Sequence, residues 1–246
     1  MKSKTPRKRL DLLLVERGLA ESLPRATAML LAGEVRVDGA RADKPGTSIP
    51  VTARIEVTVR QKYSSRGGLK LEGALADFSL NVQNLVCLDV GSSTGGFTDC
   101  LLQHGAKKVF AVDVNIDQLD WKLHEDPRVI RIRRNARELS RADIPEDVDL
   151  VVADVSFISV TKIIAPAAAI AKPNASFLLL VKPQFELRRE QIGTGGIVKD
   201  PALHQQSILA AQQAAQAAGL DCLGVHPSRL TGAEGNQEHF LLARKK

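Results

Sequence analysis

The spacing of apolar positions divides this chain into two parts that meet near residue 70. In the first part, the leucines of residues 10–14 share one face of a predicted helix, and a second helix is predicted to follow Ser22, a typical N-cap residue. Residues 35–37 then alternate between valine and arginine ahead of Asp38-Gly39, a pair that favours a hairpin turn. Together with a further strand over residues 54–60, this pattern predicts a small α+β domain.

Beyond residue 70, nearly continuous apolar segments alternate with helical patterns. Strands that are apolar throughout and separated by helices indicate a parallel sheet covered on both faces, so the pattern predicts a doubly wound α/β domain. The predicted strands cover residues 86–90, 108–114, 149–155, 176–183, 221–228 and 238–244. We therefore expect a first domain over residues 1–62, a linker over residues 63–70 and a second domain over residues 71–246.

Charge separates the two parts. The 246 residues carry a formal net charge of +6; residues 1–70 hold 15 Lys and Arg against 7 Asp and Glu, whereas the remainder holds 19 against 21. A small basic domain beside a nearly neutral one suggests binding to a polyanion, although residues 2–9 are also compatible with a solvated basic tail. Residues 1–62 contain no aromatic side chain, so we expect phosphate contacts and shape recognition rather than base stacking.

The sequence disfavours several classes of protein. Its apolar segments are shorter than the roughly 20 residues of a membrane span, and the N-terminus lacks the apolar stretch of a signal peptide. The three cysteines are widely spaced and form no CxxC pair, which favours a reducing compartment. We therefore expect a cytoplasmic protein with neither a metal site nor a membrane partner, and its oligomeric state stays open.

A glycine loop follows the first strand of the second domain, in the stretch LDVGSSTGGFTDCLL. Ligands bind at such loops in doubly wound sheets. The spacing of Gly91, Gly95 and Gly96 is not that of a dinucleotide-binding loop, and no lysine follows them as in a phosphate-binding loop. A carboxylate at Asp89 would repel a pyrophosphate but suits a cationic sulfonium that carries an ammonium group. Asp113 ends the next strand, where an acid can accept hydrogen bonds from ribose hydroxyls.

These features resemble the S-adenosylmethionine site of Rossmann-like methyltransferases. The resemblance places the methionine part of the donor over the glycine loop, its ribose against Asp113 and its adenine beside Asn135 and Ala136. The donor-binding residues that it implies are Asp89, Gly91, Ser92, Ser93, Thr94, Gly95, Gly96, Phe97, Asp113, Asn135 and Ala136. A glycine-rich turn that only permits tight packing of strand against helix is the alternative.

Four charged residues stand at the ends of otherwise apolar segments. Asp154 and Lys182 follow apolar strands, whose carboxyl ends a parallel sheet brings to one edge. Lys70 lies at the start of the second domain, and Glu238 begins the last strand. Burying such groups is costly unless they are paired or take part in the chemistry. A catalytic cluster is one explanation, and ordinary ion pairs at the ends of elements are the other.

Nearly the whole sequence resembles the TlyA family of ribosomal RNA 2′-O-methyltransferases, whose members are also labelled haemolysins. The N-terminal stretch RLDLLLVERGLAESLPRATAMLLAGEVRVDG resembles the small RNA-binding domain first described in a ribosomal small-subunit protein. The motifs SRGGLKLEGAL, DVGSSTGGFTDCLL, ADVSFIS, LLVKPQFE and GNQEHF carry the rest. By this resemblance Lys70, Asp154, Lys182 and Glu238 form the catalytic tetrad of FtsJ-like ribose methyltransferases. It also implies a Rossmann-like class I methyltransferase domain with a mostly parallel seven-stranded sheet.

The resemblance implies S-adenosylmethionine-dependent 2′-O-methylation of ribosomal RNA, with cytidine as the nucleotide. In such a mechanism Lys182 takes the proton of a ribose 2′-hydroxyl, Asp154 aligns the amine, and Glu238 holds Lys70 or the ribose. The partners would be ribosomal RNA or ribosomal subunits. The residues that we expect to contact RNA are Arg7, Lys8, Arg9, Arg25, Arg36, Arg41 and Arg66.

Two further segments are candidates for RNA contact. The glycine-rich residues 189–201 are expected to order over bound RNA. The arginines of residues 128–141 extend the phosphate-binding surface or belong to a solvated strand and turn. Two other functions are left open at this point: a non-catalytic RNA-binding or ribosome-assembly factor, and a haemolysin-type protein as the family label suggests.

Overall fold

The computed structural model describes residues 5–57 and 62–246. The chain forms two compact units, Met1–Gln61 and Lys62–Lys246. Within the described residues, the helices are α1 (Leu10–Glu16), α2 (Leu23–Leu31), α3 (Arg66–Asp77), α4 (Gly96–Gln103), α5 (Trp121–His124), α6 (Thr161–Ile170), α7 (Pro183–Glu186) and α8 (Pro201–Ala217). The strands are β1 (Arg7–Arg9), β2 (Val35–Val37), β3 (Ala40–Ala42), β4 (Ser48–Pro50), β5 (Ile55–Val57), β6 (Val86–Val90), β7 (Lys108–Asp113), β8 (Val129–Arg133), β9 (Val148–Ala153), β10 (Ala171–Val181), β11 (Leu220–Pro227) and β12 (His239–Lys245).

The prediction of a linker over residues 63–70 is wrong. Tyr63 is buried in a core of the larger unit, and α3 already begins at Arg66. The serines and glycines of this stretch resemble a flexible connection, but Ser65 caps α3 by accepting a hydrogen bond from the Gly67 amide at 3.3 Å. Gly68 packs directly against the Tyr63 ring, where a Cβ atom would overlap it. The glycines therefore serve close packing rather than flexibility.

The smaller unit has the predicted helix–helix–hairpin order. The Ser22 hydroxyl caps α2 by accepting a hydrogen bond from the Arg25 amide at 3.4 Å, and Asp38 and Gly39 turn the β2–β3 hairpin with φ values of 49° and 83°. In β5 only residues 55–57 of the predicted strand 54–60 are seen, and residues 58–60 lie outside the described residues.

A strand pair that the sequence pattern does not predict completes the smaller unit. β1 pairs antiparallel with β4, and each is only three residues long, too short to show alternation. A solvated tail is therefore wrong for Arg7–Arg9, while residues 1–4 lie outside the described residues.

The larger unit is built on a seven-stranded sheet in the order β11-β12-β10-β9-β6-β7-β8. β12 is antiparallel to both of its neighbours, and the other pairs are parallel, which confirms the predicted mostly parallel α/β sheet. Successive residues of the central strand β6 point into two separate cores: Leu88 and Val90 lie in one, and Cys87 lies in the other. Strand order reverses beside β6, and clefts at the carboxyl ends of strands form at such a reversal.

Candidate active site

The glycine loop after β6 has a backbone that side chains would not tolerate. Gly91 has a φ of 82°, and a Cβ atom there would lie 2.7 Å from the carbonyl oxygen of Asp154. The amides of Gly91 and Ser92 donate hydrogen bonds to the carbonyl oxygen of Val112 at 2.9 and 3.1 Å. Gly95, with a φ of 94°, precedes α4 and packs against leucine side chains. The loop is thus held tightly between the ends of β7 and β9.

Asp89 lies fully buried behind this loop. Its Oδ2 accepts a hydrogen bond from the Thr98 hydroxyl at 2.6 Å, whereas Oδ1 has no hydrogen-bond partner among the described residues. Burial raises the pKa of Asp89 to about 7, and the Thr98 hydrogen bond only partly opposes that rise. Burial therefore favours the protonated form of Asp89, and a cation close to the loop would stabilise its ionised form.

The acid at the end of β7 is fixed by backbone amides. Asp113 accepts hydrogen bonds from the Ser93 amide at 3.0 Å through Oδ2 and from the Asn115 amide at 2.8 Å through Oδ1. It is half-buried, so the carboxylate has a defined position and still faces a cavity.

Two neighbouring cavities open at the carboxyl edge of the sheet. The lysine cavity, of about 260 Å³, is lined by Ser65, Arg66, Gly67, Lys70, Gly91, Ser92, Ser93, Thr94, Gly96, Phe97, Asp154, Ser156, Lys182, Thr231 and Ala233. The Asp113 cavity, of about 490 Å³, is lined by Gly91, Ser93, Val112, Asp113, Val114, Asn115, Gln118, Arg134, Asn135, Ala136, Arg137, Asp154, Val155, Ser156, Phe157 and Ile158. Four residues line both cavities: Gly91, Ser93, Asp154 and Ser156. The two cavities are therefore parts of one continuous cleft.

A buried ion pair closes one side of the lysine cavity. Lys70 Nζ donates a hydrogen bond to Glu238 Oε2 at 2.5 Å, although the two residues are 168 positions apart in sequence. Both side chains are nearly inaccessible, with 10% of Lys70 and 2% of Glu238 exposed. Gly232 lies so close that a Cβ atom there would be 2.8 Å from Glu238 Oε1. Glu238 thus faces its lysine without lining the cavity itself.

The second lysine has two partners of different kinds. Lys182 Nζ lies 2.5 Å from Asp154 Oδ1, which makes an ion pair by distance. This contact does not have the geometry of a hydrogen bond, whereas the amine donates a hydrogen bond to Ser156 Oγ at 2.9 Å. Lys182 also lies 5.8 Å from the centre of the Phe185 ring. The Lys182 side chain is 9% exposed, so it is held at the cavity wall rather than in solvent.

Most of the predicted site residues meet in this cleft. Lys70, Asp154 and Lys182 line the lysine cavity together with most of the glycine loop, whereas Asp89, Gly95 and Glu238 lie behind the cavity walls. The sequence analysis missed the cavity residues Ser65, Ser156, Phe157, Thr231 and Ala233. A signal existed for Ser156 and Phe157, which follow Asp154 directly in ADVSF, and for Ser65, which opens the motif SRGGLKLEGAL, but no pattern marks Thr231 and Ala233.

The residues predicted to bind RNA lie mostly at the surface of the smaller unit, and several have protein partners. These partners are the Ser48 carbonyl for Arg7, Glu16 for Lys8, Asp11 for Arg9, Glu34 for Arg25 and the Gly39 carbonyl for Arg36. Arg41 is exposed without a hydrogen-bond or ion-pair partner among the described residues. Arg66 differs from the rest because it belongs to the larger unit and lines the lysine cavity.

The arginine-rich residues 128–141 form β8 and the turn after it. Four of these arginines face carboxylates, in the pairs Arg128–Asp126, Arg133–Asp117, Arg134–Asp143 and Arg141–Asp147. The charge of this segment is therefore largely neutralised, which favours the solvated strand and turn over a phosphate-binding surface.

Two absences can be stated for residues 5–57 and 62–246. No three His, Cys, Asp or Glu side chains are grouped so that they could hold a metal ion. Within the same ranges, no helix has both the length and the apolar character needed to cross a membrane.

Comparison with known proteins gives the family. A family model described as FtsJ-like methyltransferase matches residues 63–246, and an S4 domain model matches residues 8–55. The chain belongs to the FtsJ-like methyltransferase family. Over 241 residues it is 46% identical to the 16S/23S rRNA (cytidine-2′-O)-methyltransferase TlyA of Mycobacterium tuberculosis, an alignment that covers 97% of this chain and 90% of that relative.

Solved structures agree with membership of the FtsJ-like methyltransferase family. A candidate hemolysin from Streptococcus thermophilus is 40% identical, with a TM-score of 0.74, 99% coverage of this chain and 90% coverage of that chain. An S-adenosylmethionine-dependent methyltransferase from Mesorhizobium loti is only 15% identical, covers 74% of this chain and 100% of its own, and has a TM-score of 0.57, which shows a shared fold. The predicted family, enzyme class and fold are thereby confirmed.

Proposed function

We propose that this FtsJ-like methyltransferase transfers a methyl group from S-adenosylmethionine to the 2′-hydroxyl of a ribose in ribosomal RNA, with cytidine as the target nucleotide. The observation that carries the proposal is the pair of lysine–carboxylate contacts at the glycine loop, Lys70–Glu238 and Lys182–Asp154. Ribosomal RNA and cytidine come from the name of the M. tuberculosis relative. A cytoplasmic location follows from such a substrate.

Four residues in and around the glycine loop fit the donor. Gly91 leaves room where any side chain would strike the Asp154 backbone, so a ligand can approach the loop closely. The buried hydroxyl of Ser92 lines the lysine cavity and has no hydrogen-bond partner among the described residues. Buried Asp89 favours a positive charge near the loop, and Asp113 presents a fixed carboxylate to the adjoining cavity. When bound, S-adenosylmethionine supplies a methyl group on a cationic sulfur.

The lysine cavity supplies the residues for the ribose hydroxyl. In the proposed reaction the O–H bond of the 2′-hydroxyl breaks and its oxygen gains the methyl group, while the S–CH3 bond of the donor would break and the demethylated thioether would leave. The Lys182 amine accepts the hydroxyl proton after it has released a proton of its own. Asp154 offsets the charge that Lys182 then carries. Lys70, held by Glu238, lies at the same cavity and positions the ribose. General-base help of this kind contributes about 10²- to 10⁴-fold to a rate, and correct positioning adds to it.

An exposed aromatic side chain is available for the base of the target nucleotide. Phe157 follows Ser156 at the rim of the Asp113 cavity, is 89% exposed and has an unusual positive φ of 67°. Its ring lies 5.4 Å from that of Phe185, centre to centre. Keeping a phenylalanine exposed in a strained backbone is unfavourable unless it binds something, and stacking on an unpaired base is worth about 1–3 kcal/mol.

The S4 domain supplies the remaining affinity for RNA. Arg36 and Arg41 lie on the exposed faces of the β2–β3 hairpin, where they can contact phosphates. The domain contains no aromatic side chain for stacking, so its contribution is electrostatic and weakens as salt increases.

The test is direct mapping of ribose methylation. Ribosomal subunits from cells that lack this protein are incubated with the full chain and labelled S-adenosylmethionine, and the modified nucleotides are located by mass spectrometry. We expect methylation at a ribose 2′-oxygen of cytidine. Label on a base, or donor binding without any label on RNA, would contradict the proposal, and the second result would favour an assembly factor.

A pair of lysine variants assigns the chemistry. Lys182→Ala is expected to abolish methyl transfer while donor affinity, measured by calorimetry, stays within a few-fold. The matched control is Lys162→Ala, which removes an exposed lysine of α6 that lines neither cavity. Full activity in Lys182→Ala would remove the general base from the mechanism.

A further inference from the structure

The two partners of Lys182 differ in what they give to its amine. Asp154 Oδ1 lies 2.5 Å from Nζ and supplies the opposite charge, but this contact does not have the geometry of a hydrogen bond. Ser156 Oγ is 2.9 Å away and aligned, and it is the aligned side-chain hydrogen bond that the structure gives to this amine. The directional part of the interaction comes from the serine, because a hydrogen bond weakens steeply as its angle closes.

Ser156 stands where the two cavities join. It lines both of them, and its side chain is exposed to the cleft rather than buried in the protein. Its only hydrogen bond among the described residues is the one that it accepts from Lys182, so its own O–H proton stays available. Lys182 sits on the strand end of β10 and Ser156 on the loop after β9, so this bond also ties the two loops together.

We propose that Ser156 is a positioning residue for the methyl transfer, which holds the Lys182 amine at the junction of the two cavities. This proposal rests on the function proposed above. The donor and the ribose would meet at that junction, because the residues assigned to each line adjoining cavities. Asp154 then balances the charge of the Lys182 amine, and Ser156 fixes the direction in which the amine points. If the Lys182 amine were displaced, donor and RNA would still bind, but the amine would meet the ribose hydroxyl at the wrong angle.

Ser156→Ala is expected to lower kcat by about ten- to a hundred-fold, since misplacement of a catalytic group by about 1 Å has an effect of that size. KM for RNA and the dissociation constant of the donor should change by no more than a few-fold, because the hydroxyl that is removed makes its hydrogen bond to Lys182. Ser156→Thr keeps the hydroxyl and should restore most of kcat. The rates are measured in single-turnover reactions on ribosomal subunits, so that product release does not mask the chemical step.

Ser159→Ala is the matched control for a loosened loop. Ser159 lies three residues further along the same loop and bonds to Glu186 and Thr161, but it does not touch Lys182. We expect a lower melting temperature with unchanged kcat. Equal loss of kcat in Ser156→Ala and Ser159→Ala, or failure of Ser156→Thr to restore it, would overturn the positioning role. Unchanged kcat in Ser156→Ala would also overturn it while leaving the proposed function standing, whereas a parent protein inactive on ribosomal RNA would overturn both.

Discussion

Asp89 makes the stability of the larger unit depend on pH in an unusual direction. Its carboxyl is fully buried, and burial raises its pKa from 3.8 to about 7. Between these values the folded protein keeps a proton that the unfolded chain releases, so the free energy of unfolding falls as pH rises, by about 1.4 kcal/mol per unit. Over the whole interval the loss is about 4 kcal/mol, and it is complete once the pH exceeds the folded pKa.

Replacing this carboxyl by an amide removes the dependence. Asp89→Asn keeps the size of the side chain and an oxygen that can accept the Thr98 hydrogen bond. The stability of the variant relative to the parent should therefore increase by about 3 kcal/mol between pH 5 and pH 8. The measurement is urea unfolding of both proteins at the two pH values, followed by circular dichroism.

Asp126→Asn is the control, because the pKa of Asp126 is lowered whereas that of Asp89 is raised. The Arg128 hydrogen bond holds the pKa of Asp126 below its usual value, so its contribution is lost only as pH falls through that lowered value. The difference between this variant and the parent should stay constant from pH 5 to pH 8. The reasoning fails if Asp89→Asn also shows a constant difference, since Asp89 would then be ionised in the folded protein across this range.

Three further predictions concern the lysine cavity and the S4 domain. Lys70→Met leaves Glu238 buried without a partner and should cost about 3–5 kcal/mol of unfolding free energy, whereas Lys70→Met combined with Glu238→Leu should recover stability in thermal melts but not methylation. Gly232→Ala places a methyl group 2.8 Å from Glu238 Oε1 and should lower kcat about ten-fold with unchanged donor affinity by calorimetry; parental kcat would show that the ion pair tolerates displacement. Arg36→Ala and Arg41→Ala should each weaken RNA binding and lower the salt dependence of log K by about one, measured by filter binding at several salt concentrations; an unchanged slope would place the RNA elsewhere.

The fold could be predicted largely from the sequence because its strands carry a strong pattern. β6, β7, β9 and residues 176–181 of β10 are nearly continuous in apolar residues, as is typical of strands covered on both faces. The same topology explains why Asp154 and Lys182 can be predicted from sequence to lie close together, since both follow strands that end at one edge of the sheet. Short elements cannot be predicted in this way: β1 and β4 have three residues each, and their pairing depends on tertiary contacts.

The rest of the site could not be predicted because it depends on direction and contact rather than on residue type. Sequence placed Asp154 beside Lys182, but only coordinates show that Ser156 receives the aligned hydrogen bond. Lys70 and Glu238 are 168 positions apart, so their spacing alone does not indicate a pair; the family resemblance offered Glu238 as a partner of either Lys70 or the ribose, and the structure shows the contact with Lys70. The glycines of residues 63–70 are compatible with a linker as far as sequence goes, because glycine permits close packing as readily as flexibility, and only the buried position of Tyr63 distinguishes the two.

The charged groups that attract RNA and the charged groups that carry out methyl transfer lie in different parts of the chain. In the lysine cavity two lysines face two carboxylates, so these four groups carry no net charge and repel neither a cationic donor nor an RNA phosphate. The excess positive charge lies within residues 1–70, where it can attract RNA from a distance. Removing Lys182 leaves the cavity with one excess negative charge, which does not disfavour a sulfonium. Loss of transfer with retained donor binding in Lys182→Ala is therefore what this arrangement of charge requires.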